Sequence, residues 1–158
     1  MNSRLIEELI RAHGAALQLY ASQWCRCPQD CVQNALIKLT RSEEVPSAIV
    51  PWLYRVVRNE AISAGRSERR RRFREDQYAR QRFENSDSEP IDVDQLEQSL
   101  ERLTPDLREI ITAKIWGGLT FDEIAQVVGS SSTTVHRKYA KGLSQLKEKL
   151  GLEWLTKK

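Results

Sequence analysis

The sequence predicts an all-α protein built as two small helical domains joined by a flexible acidic linker. Three observations predict it. Apolar residues recur at three- and four-residue intervals along most of the chain, the spacing of one face of a helix. Glycine and proline are scarce, 7 and 5 among 158 residues, which disfavours a turn-rich sheet protein. Charge is segregated although the net charge is only +3: arginine is dense from Arg66 to Arg82, whereas from Glu84 to Glu101 there are acids and no lysine or arginine. The expected division is a first domain over 1–75, a linker over 76–94, a second domain over 95–152 and a tail over 153–158.

The elements follow in order. Leu5, Leu9, Ala12, Ala16 and Leu19 mark an amphipathic first helix, on which His13 reads as a surface or packing residue. Trp24 to Pro28 breaks it. A second helix over 29–40 buries Val32, Ala35, Leu36 and Leu39, and Pro46 and Pro51 bound a connector. The third helix begins near Pro51, since proline suits a first helical turn, and carries Leu53, Val56, Val57, Ala61 and Ala64 on one stripe. Its opposite face holds Arg55, Arg58, Asn59, Ile62 and Arg66. Continued through Arg69 and Arg70, that face becomes a basic edge suited to a phosphate backbone. A plain solvated helix explains scattered charges but not the thinning of acids on this side.

Asn85-Ser86-Asp87-Ser88-Glu89-Pro90 is polar, acidic and poor in apolar residues, and the domain boundary is placed there. Leu96, Leu100 and Leu103 predict a helix that stops at Thr104-Pro105. Thr104 is expected to cap the next helix, which buries Leu107, Ile110, Ile111 and Ile115 and ends at Trp116-Gly117-Gly118. Leu119 to Gly129 and Ser130 to Lys141 then read as a helix-turn-helix. Ile124, Val127 and Val128 lie at helical spacing, small Ala125 permits a close crossing, Gly129 supplies a left-handed turn, and Val135 plugs the second helix into the first. Leu143, Leu146 and Leu150 extend that helix towards Gly151, and Trp154 lies in the tail.

This hairpin has the composition of a major-groove reader. The hydroxyls from Ser130 to Thr134 can cap a helix or donate to phosphate, and Thr133, Thr134, His136, Arg137, Lys138 and Lys141 put polar and basic groups at its exposed positions. An ordinary helical hairpin with its cations in water is the plainer alternative. It does not require a small residue, a glycine four positions on and an aliphatic six positions after that.

Three segments, in order, resemble the extracytoplasmic-function sigma factors of the sigma-70 family. Pro51-Trp52-Leu53-Tyr54-Arg55-Val56-Val57-Arg58-Asn59-Glu60-Ala61-Ile62, with Arg66 and the arginine run behind it, is similar to their region two. Leu103-Thr104-Pro105-Asp106-Leu107-Arg108-Glu109-Ile110-Ile111, with Trp116-Gly117-Gly118-Leu119-Thr120-Phe121-Asp122-Glu123-Ile124-Ala125, is similar to region four. Asp30-Cys31-Val32-Gln33-Asn34-Ala35-Leu36-Ile37-Lys38-Leu39 looks like the region-two helix that docks on RNA polymerase. The resemblance implies a core polymerase contact through Asp30, Gln33, Asn34 and Ile37, and a minus-ten promoter contact through Arg55, Arg58, Asn59 and Arg66, with Arg69 and Arg70 beyond. It implies a minus-thirty-five contact through the hairpin residues already named. An anti-sigma factor is a further partner that it allows. Trp52 is read as core rather than as a base-stacking residue. Ser63 stands where the family commonly has an acid, Thr40 where it has an aromatic, and Asn34 where it has a glutamate.

Other classes find little support. No stretch is long and apolar enough to span a membrane, and the first residues lack a signal-peptide core, so a cytoplasmic protein without membrane insertion is expected. Cys25, Cys27 and Cys31 lack the paired knuckles of a structural zinc site and are read as free thiols, so neither metal nor cofactor is expected. Two histidines, no glycine-rich phosphate loop and no convergent acid pair leave no catalytic constellation. The runner-up is a stand-alone helix-turn-helix regulator, and more remotely a DNA recombinase, which would need an activated serine or tyrosine.

Overall fold

The computed structural model describes residues 3–78 and 98–150; the core of the expected linker and the tail with Trp154 lie outside the described residues. Among the described residues, six helices have both ends in view: α1 (Ser3–Ala21), α2 (Pro28–Arg41), α3 (Ile49–Tyr78), α4 (Pro105–Ile115), α5 (Phe121–Val128) and α6 (Ser132–Leu150). A helical turn at 98–101 precedes α4, and there is no strand among the described residues. The first three helices form one bundle and the last three another.

Each bundle is driven by burial of the stripes that its sequence supplies. Val32, Ala35 and Leu39 of α2 and Leu53, Val57 and Ala61 of α3 are almost wholly inaccessible to water. Leu100, Leu103, Leu107, Ile111 and Leu146 form a second cluster, tying the turn at 98–101 to α4 and α6. Arg108 fixes the same turn by donating to the carbonyls of Leu100, Glu101 and Leu103 at 2.8, 2.6 and 3.2 Å, a cation satisfying the orphan acceptors at a helix end.

The larger cluster does not stop at the boundary between the bundles. It runs from Leu17, Tyr20, Leu53 and Tyr54 into Ile110, Ala113, Leu119, Ile124 and Val135. Helix α4 therefore has two apolar faces, one towards α6 and one towards α1 and α3.

Several expectations are corrected in detail. The α1 stripe is rotated: Ala12 is exposed, while Leu9, Leu17, Tyr20 and Ala21 are buried, because α1 packs against α4 as well as against its own bundle. Ile115 is exposed at the end of α4, and Leu119 enters the core instead after the chain reverses through Trp116 to Gly118. Thr104 does not cap α4 with its side chain; its hydroxyl donates to Asp106 Oδ1 at 2.6 Å. Helix α3 begins at Ile49, slightly earlier than Pro51; of the helix expected before Thr104 the described residues carry 98–101, and Leu96 lies outside them.

Candidate nucleic-acid interface

The hairpin of α5 and α6 is built by local chemistry. Thr120 and Glu123 form a reciprocal capping box: the Glu123 N–H donates to Thr120 Oγ1 at 3.2 Å, and the Thr120 N–H donates to Glu123 Oε2 at 2.7 Å. Thr-x-x-Glu ahead of an apolar run is the sequence signature of this box. Gly129 ends α5 with φ 70° and ψ 43°, left-handed values that a Cβ resists. The Ser131 hydroxyl oxygen then accepts from the Thr134 N–H at 3.2 Å, starting α6. Thr120→Ala is expected to lower stability by about 1 kcal/mol, read as an earlier midpoint in urea with unchanged slope.

Helix α6 presents Thr133, His136, Arg137 and Lys141 to solvent on one side, at spacings of three and four residues. Two of its candidate residues are engaged within the fold. Thr134 accepts from the Ser131 hydroxyl at 2.9 Å, and Lys138 pairs with Asp106 at 2.9 Å. His136 sits edge-on to Phe121, with centroids 4.9 Å apart, which fixes the direction of the imidazole.

Asp106 joins the start of α4 to α6. The Thr104 hydroxyl, followed by the Lys138 ammonium, holds its carboxyl at about 2, below the ordinary 3.8. A depressed folded value means that this contribution is full above pH 3.8 and is lost as pH falls through about 2. Melting temperature against pH is expected to show a smaller decline between pH 4 and 2 in Asp106→Asn than in the parent chain.

On α3 the candidate residues separate into two groups. Arg55, Asn59, Arg66, Arg69 and Arg70 are exposed along one side of the helix. Arg58 is not. Its Nε donates to Glu109 Oε1 at 2.5 Å and its Nη2 to Oε2 at 3.4 Å, while the guanidinium lies 5.9 Å from the Trp24 ring centroid. Burial works against the Arg58 charge, but the Glu109 hydrogen bond and charge outweigh it and raise the guanidinium above its ordinary value. Trp52 is half-buried and packs against the core.

Helix α2 displays Asp30, Gln33, Asn34 and Ile37 together on its exposed side. Asn34 Nδ2 donates to Glu60 Oε2 at 3.4 Å, and Lys38 Nζ donates to Glu60 Oε1 at 2.5 Å, so one carboxylate of α3 fixes the tilt of this face. Glu60 and Glu109 were missed as organising residues, because each acts across a long stretch of chain. Cys25 and Cys31 face each other with sulfurs 3.5 Å apart, and burial pushes the Cys31 thiol up to about 12. Cys27 turns towards Glu68. Among the described residues, no group of three or more His, Cys, Asp or Glu side chains is placed to hold a metal ion, and no helix is long and apolar enough to cross a membrane.

Comparison with known proteins gives a consistent result. Residues 9–71 match the family model "Sigma-70 region 2", and residues 94–146 match "Sigma-70, region 4". The chain is 27% identical over 154 residues to the RNA polymerase sigma factor CarQ of Myxococcus xanthus, covering 92% of this chain and 88% of that protein. It is 25% identical over 130 residues to the RNA polymerase sigma factor SigV of Bacillus subtilis, covering 80% and 78%. The fold resembles that of the sigma factor RpoE from Bartonella quintana, solved with the anti-sigma factor NepR, at a TM-score of 0.70 and 24% identity, over 96% of this chain and 99% of that one. It also resembles CnrH, solved with the cytosolic domain of CnrY, at a TM-score of 0.63 and 21% identity, over 96% and 91%.

Proposed function

The chain belongs to the sigma-70 family of RNA polymerase sigma factors, of extracytoplasmic-function type with regions 2 and 4, and on that premise we infer how its surfaces divide the work. It is an alternative sigma factor that binds core RNA polymerase and directs transcription initiation at promoters. The observation that carries the division is the presence, on one chain, of an exposed amide-and-arginine face on α3 and a polar, basic face on α6. Each is displayed by its own bundle.

The exposed side of α2, with Asp30, Gln33, Asn34 and Ile37, is the docking surface for polymerase. Arg55, Asn59 and Arg66, with Arg58 once released, face the minus-ten element, where splayed bases of a melted strand are recognised by hydrogen bonding and stacking; Arg69 and Arg70 extend the electrostatic track. On α6, Arg137 and His136 are the base readers, while Thr133, Thr134, Lys138 and Lys141 set register on phosphates. The working domains are 1–75 and 95–152, joined through 76–94, with 153–158 as a tail. Sigma factors are non-catalytic regulators, and we read this chain as acting by binding alone, without cofactor, in the cytoplasm. An anti-sigma factor is a fitting regulator, given the partners in the two similar structures.

Reconstituted transcription tests this reading. Core polymerase with this chain and no other sigma factor is expected to start at discrete promoter positions; failure to do so favours a stand-alone helix-turn-helix regulator. The double substitution Asp30→Ala with Gln33→Ala is expected to weaken binding to core polymerase at least about tenfold, the effect of losing roughly 1.4 kcal/mol, without moving the melting temperature.

A further inference from the structure

Glu109 is an acid in an unexpected place. It is only 6% exposed, it sits on the side of α4 that faces the first bundle, and its neighbours Ile110 and Ala113 are core residues. A buried carboxylate persists only where donors replace its water. Both donors come from the other half of the chain: the Tyr20 hydroxyl at 2.6 Å, 89 residues away in sequence, and the Arg58 guanidinium, 51 residues away.

The surroundings complete a socket for that carboxylate. Tyr20 meets Trp24 and Tyr54 edge-to-face, with centroids 5.1 and 4.9 Å apart, and Arg58 lies against Trp24. Gly117 closes on the same wall, where an added Cβ would come within 2.6 Å of the Tyr54 hydroxyl oxygen. Polar and apolar contacts therefore join the bundles around Arg58, an α3 arginine of the minus-ten assignment whose guanidinium a buried carboxylate already occupies.

We propose that Tyr20, Arg58 and Glu109 form a latch holding the unbound chain closed, with the Glu109 carboxylate occupying the guanidinium that would otherwise take a promoter phosphate. This rests on the assignment of α3 to the minus-ten element. Two bundles in contact cannot sit on both promoter elements: minus ten and minus thirty-five are about two and a half helical turns apart, roughly 85 Å. Residues 79–97, which connect the bundles, span roughly 65 Å at full extension, less than that separation, and the bundles' own dimensions supply the rest: the 19-residue α6 alone is about 28 Å long. Carboxylate and phosphate both present paired oxygens to a guanidinium, so occupancy of Arg58 by one excludes the other. Opening frees Arg58 for DNA and brings the Tyr54 hydroxyl, buried without a protein hydrogen-bond partner among the described residues, to water.

The full-length chain tests the latch without polymerase. X-ray scattering reads the radius of gyration, and fluorescence anisotropy reads affinity for a single-stranded oligonucleotide at fixed salt. Glu109→Gln is expected to expand the chain and tighten oligonucleotide binding about tenfold. Arg58→Glu is expected to expand it without tightening, because the cation itself is gone. The double variant Arg58→Glu with Glu109→Arg is expected to return to the compact dimension and still bind weakly, a reversal that general loss of packing does not produce. Should Glu109→Gln unfold, Tyr20→Phe, which removes one hydroxyl, is expected to move both readouts the same way by a smaller factor. An unchanged radius and affinity in the folded single variant, or a double variant as expanded as Arg58→Glu, overturns the latch. Transcription by the parent chain with core polymerase tests the sigma assignment separately, since either result can hold without the other.

Discussion

Val135→Asp is expected to melt the helix-turn-helix and abolish promoter-specific transcription. Val135 is inaccessible to water and belongs to the same buried cluster as Ile124, Ala125 and Val127. A carboxylate there meets no cation and no spare donor among these side chains, at a cost of several kcal/mol, whereas a domain has only about 5–15 kcal/mol in total. Val135→Ala removes the equivalent of two methylene groups and leaves a small cavity, about 2 kcal/mol, so it is expected to fold with a lowered midpoint. Chemical denaturation followed by circular dichroism separates the two. Because the larger cluster continues into α3, the aspartate variant is also expected to loosen contacts between the bundles, seen as faster hydrogen exchange around Tyr54.

What was legible in the sequence was what is decided locally. The turn of the hairpin depends on Gly129, Ser131 and the spacing to Val135, all within a few residues, and the structure forms it where expected. The exposed sides of α2 and α3 follow from helical periodicity alone. The rotation of α1 did not, because a helix with two neighbours buries a broad arc, and Leu9-Leu17-Ala21 is as good a helical line as Leu5-Leu9-Ala12. Nor did the role of Glu109, which looks like any surface glutamate beside Arg108 until α1 and α3 bring Tyr20 and Arg58 to it. Arg58 illustrates the difference most clearly. Periodicity put it among solvent-facing arginines, and a partner 51 residues away half-buried it.

Along α6, Arg137→Ala and Lys141→Ala are expected to weaken promoter binding by the holoenzyme in different ways. Both side chains are exposed one helical turn apart, free of the ion pair that occupies Lys138. A guanidinium reading a purine edge contributes about 1–3 kcal/mol of discrimination, so Arg137→Ala should lower affinity for the preferred minus-thirty-five sequence roughly 5- to 150-fold and flatten the preference at one base pair. A lysine on phosphate releases counterions whatever the sequence. Lys141→Ala should therefore weaken all sequences alike and reduce the slope of log affinity against log salt by about 1. Binding titrations at several salt concentrations, on the preferred site and on single-base variants, distinguish the roles. Should Lys141→Ala change base preference while Arg137→Ala changes only the salt slope, the two assignments are exchanged, and α6 enters the groove rotated by about one residue from the orientation proposed here.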